Sequence, residues 1–220
     1  MKRASRMMLG VIFLIITSRA LADKLSDFKD AVSKTGCESI PYSDLQSDCK
    51  SQQSNVHDYC DGGKGPVTCG SESITRQLKD NIEKEKKNVE ALKEKKRDLE
   101  DQKSKASDDN EKNRLTKEIE QAEKDIYEAG KRVDQSVADL DARKKLVDDA
   151  IYTINKCMDY RRAVMNIFAT ALDKVRGETD EDIKPLARQL RDMYEESKRG
   201  HEIAIKDKEN ALDTCNKSKP

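Results

Sequence analysis

The sequence predicts an all-α protein: long antiparallel coiled-coil helices forming a three-helix rod, with a small disulfide-stapled helical head at the N-terminal end. Three observations predict it. Charged residues make up 39% of the 220 residues and hydrophobic ones 35%, too little apolar material for the thick core of an α/β domain. Beyond Ser73 the apolar residues recur at alternating spacings of four and three, the period of a coiled coil. Six cysteines, four of them between residues 37 and 69, supply a covalent frame where apolar residues are scarce. The 43 basic residues cancel 43 acidic ones. That balance argues against a disordered polyelectrolyte and against a nucleic-acid binder, which needs a basic excess.

Residues 1–22 read as a secretory signal peptide. Lys2, Arg3 and Arg6 make a basic start, Met7 to Ile16 is an apolar run, and Ala20-Leu21-Ala22 is a small-x-small cleavage site ending at Ala22. The run is too short to span a bilayer, which takes about 20 apolar residues. The leader carries four bases and no acid, so cleavage leaves a mildly acidic chain whose excess acid lies in residues 23–72. The expected location is extracytoplasmic, secreted or periplasmic, with no transmembrane segment after cleavage.

Such a compartment preserves disulfides, and Cys37, Cys49, Cys60, Cys69, Cys157 and Cys215 are even in number. Three structural disulfides are expected, with the pairing open. No Cys-x-x-Cys element occurs, so neither a zinc site nor a redox motif is indicated.

Residues 23–72 form the cysteine-rich head. A helix is expected over 24–35, with Leu25, Phe28 and Val32 on one face and Gly36 as its stop. Ser43 and Gln46 have the spacing of a capping box for a second helix, on which Leu45, Cys49, Val56 and Cys60 share a face. Asp61-Gly-Gly-Lys-Gly-Pro66 is a loop, without the strand or the Gly-Lys-Ser/Thr ending of a phosphate loop. A head this small and polar would not hold without its disulfides.

Residues 73–220 form the coiled-coil region, with helices expected at about 73–104, 110–176 and 182–215. The first seam runs through Thr75, Leu78, Ile82, Glu85, Val89, Leu92, Lys96, Leu99 and Lys103, five of nine being apolar. The second runs from Leu115 to Val175 without a slip, and 15 of its 18 positions are apolar or Cys; Ser136, Arg143 and Arg161 are the exceptions. The two seams are two residues out of phase, a shift that local unwinding absorbs poorly. Residues 104–110, with capping residues Ser107 to Asn110, therefore read as a hairpin turn. A third helix follows Gly177, with caps among Thr179 to Asp182 and Pro185 in its first turn. Its seam is Ile183, Leu186, Leu190, Met193, Ser197, Gly200 and Ala204.

Folding the hairpins about residues 107 and 179 brings the start of the first helix and the end of the third to the middle of the second. On that register Cys157 and Cys215 are offset by about 20 Å, while bridged Cα atoms lie within about 7 Å. Each is therefore expected to bond to the head. From about residue 151 the long helix widens its apolar face with Ile151, Met158, Met165 and Leu172. A face this wide takes two partners, the third helix and either the head or another protein.

Little chemistry is legible. His57 lies three residues from Cys60, but an oxidised cysteine is no nucleophile. His201 reads as a solvated residue on a polar helix. The acids alternate with bases at helical spacing, as in Glu83–Lys87, Asp139–Arg143 and Glu202–Lys206, a pattern of surface pairs rather than acid–base dyads. No pocket large enough for a substrate is indicated, and no cofactor or metal is expected. The expected function is a non-enzymatic coiled-coil binding or scaffold protein with a protein partner, acting through helix–helix or head-surface contacts. Candidate partner contacts are Arg143, Arg161, Ile151, Met158 and Met165. Self-association through the weak first seam is a further route. The alternatives are a secreted inhibitor built on the head and a membrane-active helical toxin.

Overall fold

The structure, a computed structural model, describes residues 20–219. The signal peptide read over 1–22 thus lies mostly outside the described residues, and Ala20 to Ala22 form the first turn of a helix. The described residues are all-α, with no strand. In chain order they form α1 (residues 20–32), a short 3-10 turn (Gly36–Ser39), α2 (Ser43–Cys60), α3 (Glu72–Lys105), α4 (Asp109–Arg176) and α5 (Lys184–Lys217). None of these helices is long and apolar enough to cross a membrane. Three disulfides join Cys37 to Cys49, Cys60 to Cys157 and Cys69 to Cys215.

The chain divides into two compact units, and α4 and α5 contribute to both. One contains Thr68–Tyr152 and the end of α5. Here α3 and the first part of α4 form an antiparallel hairpin closed by residues 106–108. Asp108 caps α4, its carboxylate accepting the Glu111 N–H at 3.1 Å. All nine seam positions of α3 are buried or half-buried. Apart from them, every α3 residue is exposed. Leu99, Leu115 and Ala122 make a small core near the turn. Lys96 pairs with Glu123 at 2.7 Å and Arg132 with Glu85 at 3.2 Å across the hairpin. At the opposite end the Cys69–Cys215 bond joins the lead-in to α3 with the end of α5. Beside it the Thr75 hydroxyl donates to the Ser218 carbonyl at 2.9 Å.

The other unit contains residues 20–67 and Thr153–Ala211. Phe28, Ile40, Cys49 and Val56 from the N-terminal segment share one core with Cys157, Val164 and Phe168 of α4 and Leu190 and Tyr194 of α5. The head expected over 23–72 therefore does not close on itself; it completes its core on α4 and α5. This is the outcome its low apolar content requires. The wide face of α4 is covered here, with Met158 and Leu172 buried. Cys60–Cys157 fixes the end of α2 to α4, and the Tyr194 hydroxyl donates to the Ser39 carbonyl at 2.5 Å.

Several local expectations fail, some to nearby groups on the same helix and some to partners from elsewhere in the chain. α1 ends at Val32, not residue 35, tightening into i→i−3 bonds from Ser33 and Lys34. Gly36, at φ +60°, instead opens the 3-10 turn that presents Cys37 to Cys49. Ser43 and Gln46 form no capping box. Tyr42 is the N-cap without a side-chain bond, and the Gln46 amide donates to the carbonyls of Glu38 and Ile40, both at 3.2 Å. Gly177 ends α4 without a left-handed φ, its N–H bonded to Asp173 and Lys174. Of the three surface pairs expected, Glu83–Lys87 forms at 3.7 Å. Asp139 instead accepts from Gln135, and Glu202 pairs with Lys198.

The α4–α5 hairpin also closes later than a centre at residue 179 would place it. Phe168 packs its ring at a tilt against Tyr194, and Arg176 pairs with Glu195. Both α5 partners lie further along the chain than that centre gives. The connection takes its own turn first, Ile183 and Lys184 donating back to the Asp180 carbonyl before α5 begins.

The Cys60–Cys157 bond closes a sequence separation of 97 residues. Replacing both by alanine should lower stability by about 4 kcal/mol, mainly by freeing the unfolded chain. Urea unfolding of the otherwise oxidised protein measures this. A loss below about 1 kcal/mol would show the cross-link to be dispensable to the head.

Candidate functional site

The N-terminal segment, α4 and α5 together frame a cleft of about 610 Å³. Gly36, Cys37 and Glu38 of the 3-10 turn form one side, with Lys50 and Gln53 of α2 beside them. Arg161 and Phe168 of α4 and Ser197, Gly200 and His201 of α5 complete it. The volume falls in the range of small-ligand sites, about 300–1,000 Å³. The expectation that no such pocket exists is therefore corrected. The seam between α4 and α5 is not continuous here. Arg161 of α4 and Ser197 and Gly200 of α5 all occupy seam positions, and none supplies an apolar knob. A Cβ built on Gly200 meets nothing within 4 Å.

The walls are disulfide-fixed. Cys37–Cys49 ties the turn to α2, and Cys60–Cys157 ties α2 to α4. Phe168 is buried, with its ring 5.7 Å from that of Tyr194 and 6.3 Å from that of His201. The polar groups are unevenly matched. Lys50 pairs with Glu38 at 3.4 Å. Among the described residues no carboxylate pairs with Arg161, whose Nε is buried without a hydrogen-bond partner. The Nδ1 of His201 is likewise buried and bare. Burial, and then the charge of Arg161, hold the His201 pKa below its ordinary 6.5. The sequence reading of His201 as solvated thus fails: the ring is half-buried against Phe168.

The other candidate contacts have internal roles or positions. Arg143 sits in the first unit, its Nη2 donating to the Ser71 carbonyl at 3.1 Å. It braces the start of α3 so closely that a Cβ on Gly70 would stand 2.9 Å from its Nη1. Met158 is buried at 4% exposure, while Ile151 and Met165 are half-buried. Of the five, Arg161 alone lines the cleft. His57 is exposed, with Nδ1 2.6 Å from Asp61, and its neighbour Cys60 is in a disulfide. Among the described residues no His, Cys, Asp and Glu cluster could hold a metal. The arrangement offers a fixed, largely apolar hollow with one unmatched cation, which is suited to holding a ligand.

No family model matches the chain, and neither a curated protein nor a solved structure does.

The depressed His201 pKa has a consequence for stability. The unfolded chain takes up a proton near pH 6.5, where the folded one still resists it. The stability gained from a neutral ring is complete above that pH and is lost as pH falls below it. Arg161, Lys50 and Glu38 line the same cleft and set the local field. Thermal unfolding between about pH 7.5 and 5.5 should therefore show a declining Tm that flattens in His201→Gln. An identical slope in both proteins would place the titration elsewhere.

Proposed function

We propose that the chain is a non-enzymatic helical binding protein of an extracytoplasmic compartment, secreted or periplasmic, which recognises its partner through the cleft framed by α2, α4 and α5. The observation that carries this reading is Arg161: a partly buried cation at a coiled-coil seam position, without an internal counter-charge, at the edge of a preformed hollow. A purely structural arginine at such a position pairs with an acid or extends into solvent. The three disulfides support the compartment, since such bonds persist where the surroundings are oxidising. They also support the mode of action, because a site held rigid by cross-links loses less entropy when it binds.

Native mass spectrometry of the full chain, purified with its disulfides intact from the compartment that receives it, tests the reading. The expected result is a stoichiometric non-covalent complex whose ligand is released chemically unchanged. Replacing Cys37 and Cys49 by serine should weaken retention by about tenfold, since it frees the Gly36–Glu38 wall. Recovery of a converted ligand would instead mark an enzyme, and the absence of any bound species would remove the binding role.

A further inference from the structure

The chemistry of the cleft narrows what it holds, given the reading of the chain as a binding protein. We propose that the cleft is a receptor for a carboxylate carried on an apolar body, with Arg161 as its counter-ion and Phe168 in its apolar lining. Charge sets the first half of that statement. Lys50 is already matched by Glu38, so one positive charge is uncompensated, and a monoanion balances it. A guanidinium presents a planar fork of donors that a carboxylate matches two-to-two. A dianionic phosphate would bring a second negative charge toward Glu38 with nothing on the walls to offset it.

Shape and polarity set the second half. The hollow of about 610 Å³ is far larger than a carboxylate alone requires. Its lining includes Phe168 and Cys37, the latter held to α2 by its bond to Cys49. Gly36 and Gly200 add open space, for a Cβ built on either meets nothing within 4 Å. An acyl chain or an apolar side chain fills such a space and displaces water from it. His201, with its pKa held down, lines the cleft without adding a second charge. The anion could be a free apolar acid or the C-terminal carboxylate of a peptide ending in an apolar residue; the recognition chemistry is shared.

Isothermal titration of the full oxidised chain separates the possibilities. The probes are octanoate against octanol, and a pentapeptide ending in leucine as free acid against its C-terminal amide. At least one acid should bind about ten- to a hundredfold more tightly than its uncharged counterpart. Octanoate alone binding identifies a free acid as the source, and the peptide acid alone identifies a chain terminus. Arg161→Met should erase the preference for the acid while leaving Tm unchanged or higher, because it removes an unmatched charge from the core edge. A merely structural arginine would show the opposite, a fall in Tm. Gly200→Leu should block every probe without loss of fold, since leucine is the better helix former and its side chain enters open space. Equal binding of acid and uncharged counterpart, or of inorganic phosphate in place of the acids, overturns the proposal. So does a failure of all the acids to bind. If the species retained in native mass spectrometry survives Gly200→Leu, the protein still binds a ligand, but not in this cleft.

Discussion

The 4-3 seam of α4 is the constraint on which everything else depends. All 18 of its positions are buried or half-buried, so each stretch of the helix needs a neighbour along its length. In one unit α3 runs antiparallel along the seam and is joined there by the end of α5, and α3 buries nothing but its own seam. In the other unit the face is wider, and it is covered by α5 together with the N-terminal segment. The head owes its order to that demand. Its few apolar residues, Phe28, Ile40 and Val56, could not enclose one another, but they can close over a surface that already exists. The disulfide from Cys60 to Cys157 fixes the segment on α4 once it is there.

This dependence explains which parts of the fold were legible. Periodicity is a property of one helix, so the seams of α3 and α4 could be read position by position, and the phase shift between them marked the turn at 106–108. What depended on a partner from elsewhere in the chain could not be read in the same way. Gln46 has the spacing of a capping residue, yet the carbonyls of Glu38 and Ile40 lie within its reach and take its donors. Arg143 has an acid at i−4, yet its donors go to the Ser71 carbonyl and to the hydroxyl of the buried Thr75. Exposed i,i+4 pairs contribute only a few tenths of a kcal/mol, so any tertiary alternative outcompetes them. The centre of the second hairpin moved for a related reason. The residues after Gly177 spend a turn of their own before α5 starts, and no periodicity announces that length. Cys157 and Cys215 each bond to the N-terminal cysteines as expected, Cys157 to Cys60 in the segment that covers the wide face and Cys215 to Cys69 in the lead-in to α3.

The cleft was the least legible feature, although its components were visible. Arg161 stood out as a charged seam residue, and Ser197 and Gly200 as weak ones. Each is a small imperfection in its own helix. They become a site only because two helices and a disulfide-held turn bring three imperfections together, with Phe168 and His201 beside them. His201 reads as solvated for the same reason: its helical neighbours are polar, and the groups packed on it, Phe168 and Arg161, come from α4.

These imperfections are costly locally. Glycine within a helix loses about 1 kcal/mol relative to alanine. An unmatched guanidinium Nε and a bare imidazole nitrogen each forgo a hydrogen bond that water would have supplied in the unfolded chain. A sequence that otherwise holds an unbroken 18-position seam could fill the hollow with leucine, as it does at Leu190 one heptad before Ser197. That it does not, and that two disulfides brace the surrounding walls, is the pattern expected where stability is traded for a preformed site. A seam gap produced by drift would carry no reason to combine a missing knob with an unmatched cation lining the gap. The combination at Arg161, Ser197 and Gly200 is what separates a binding cleft from a packing defect.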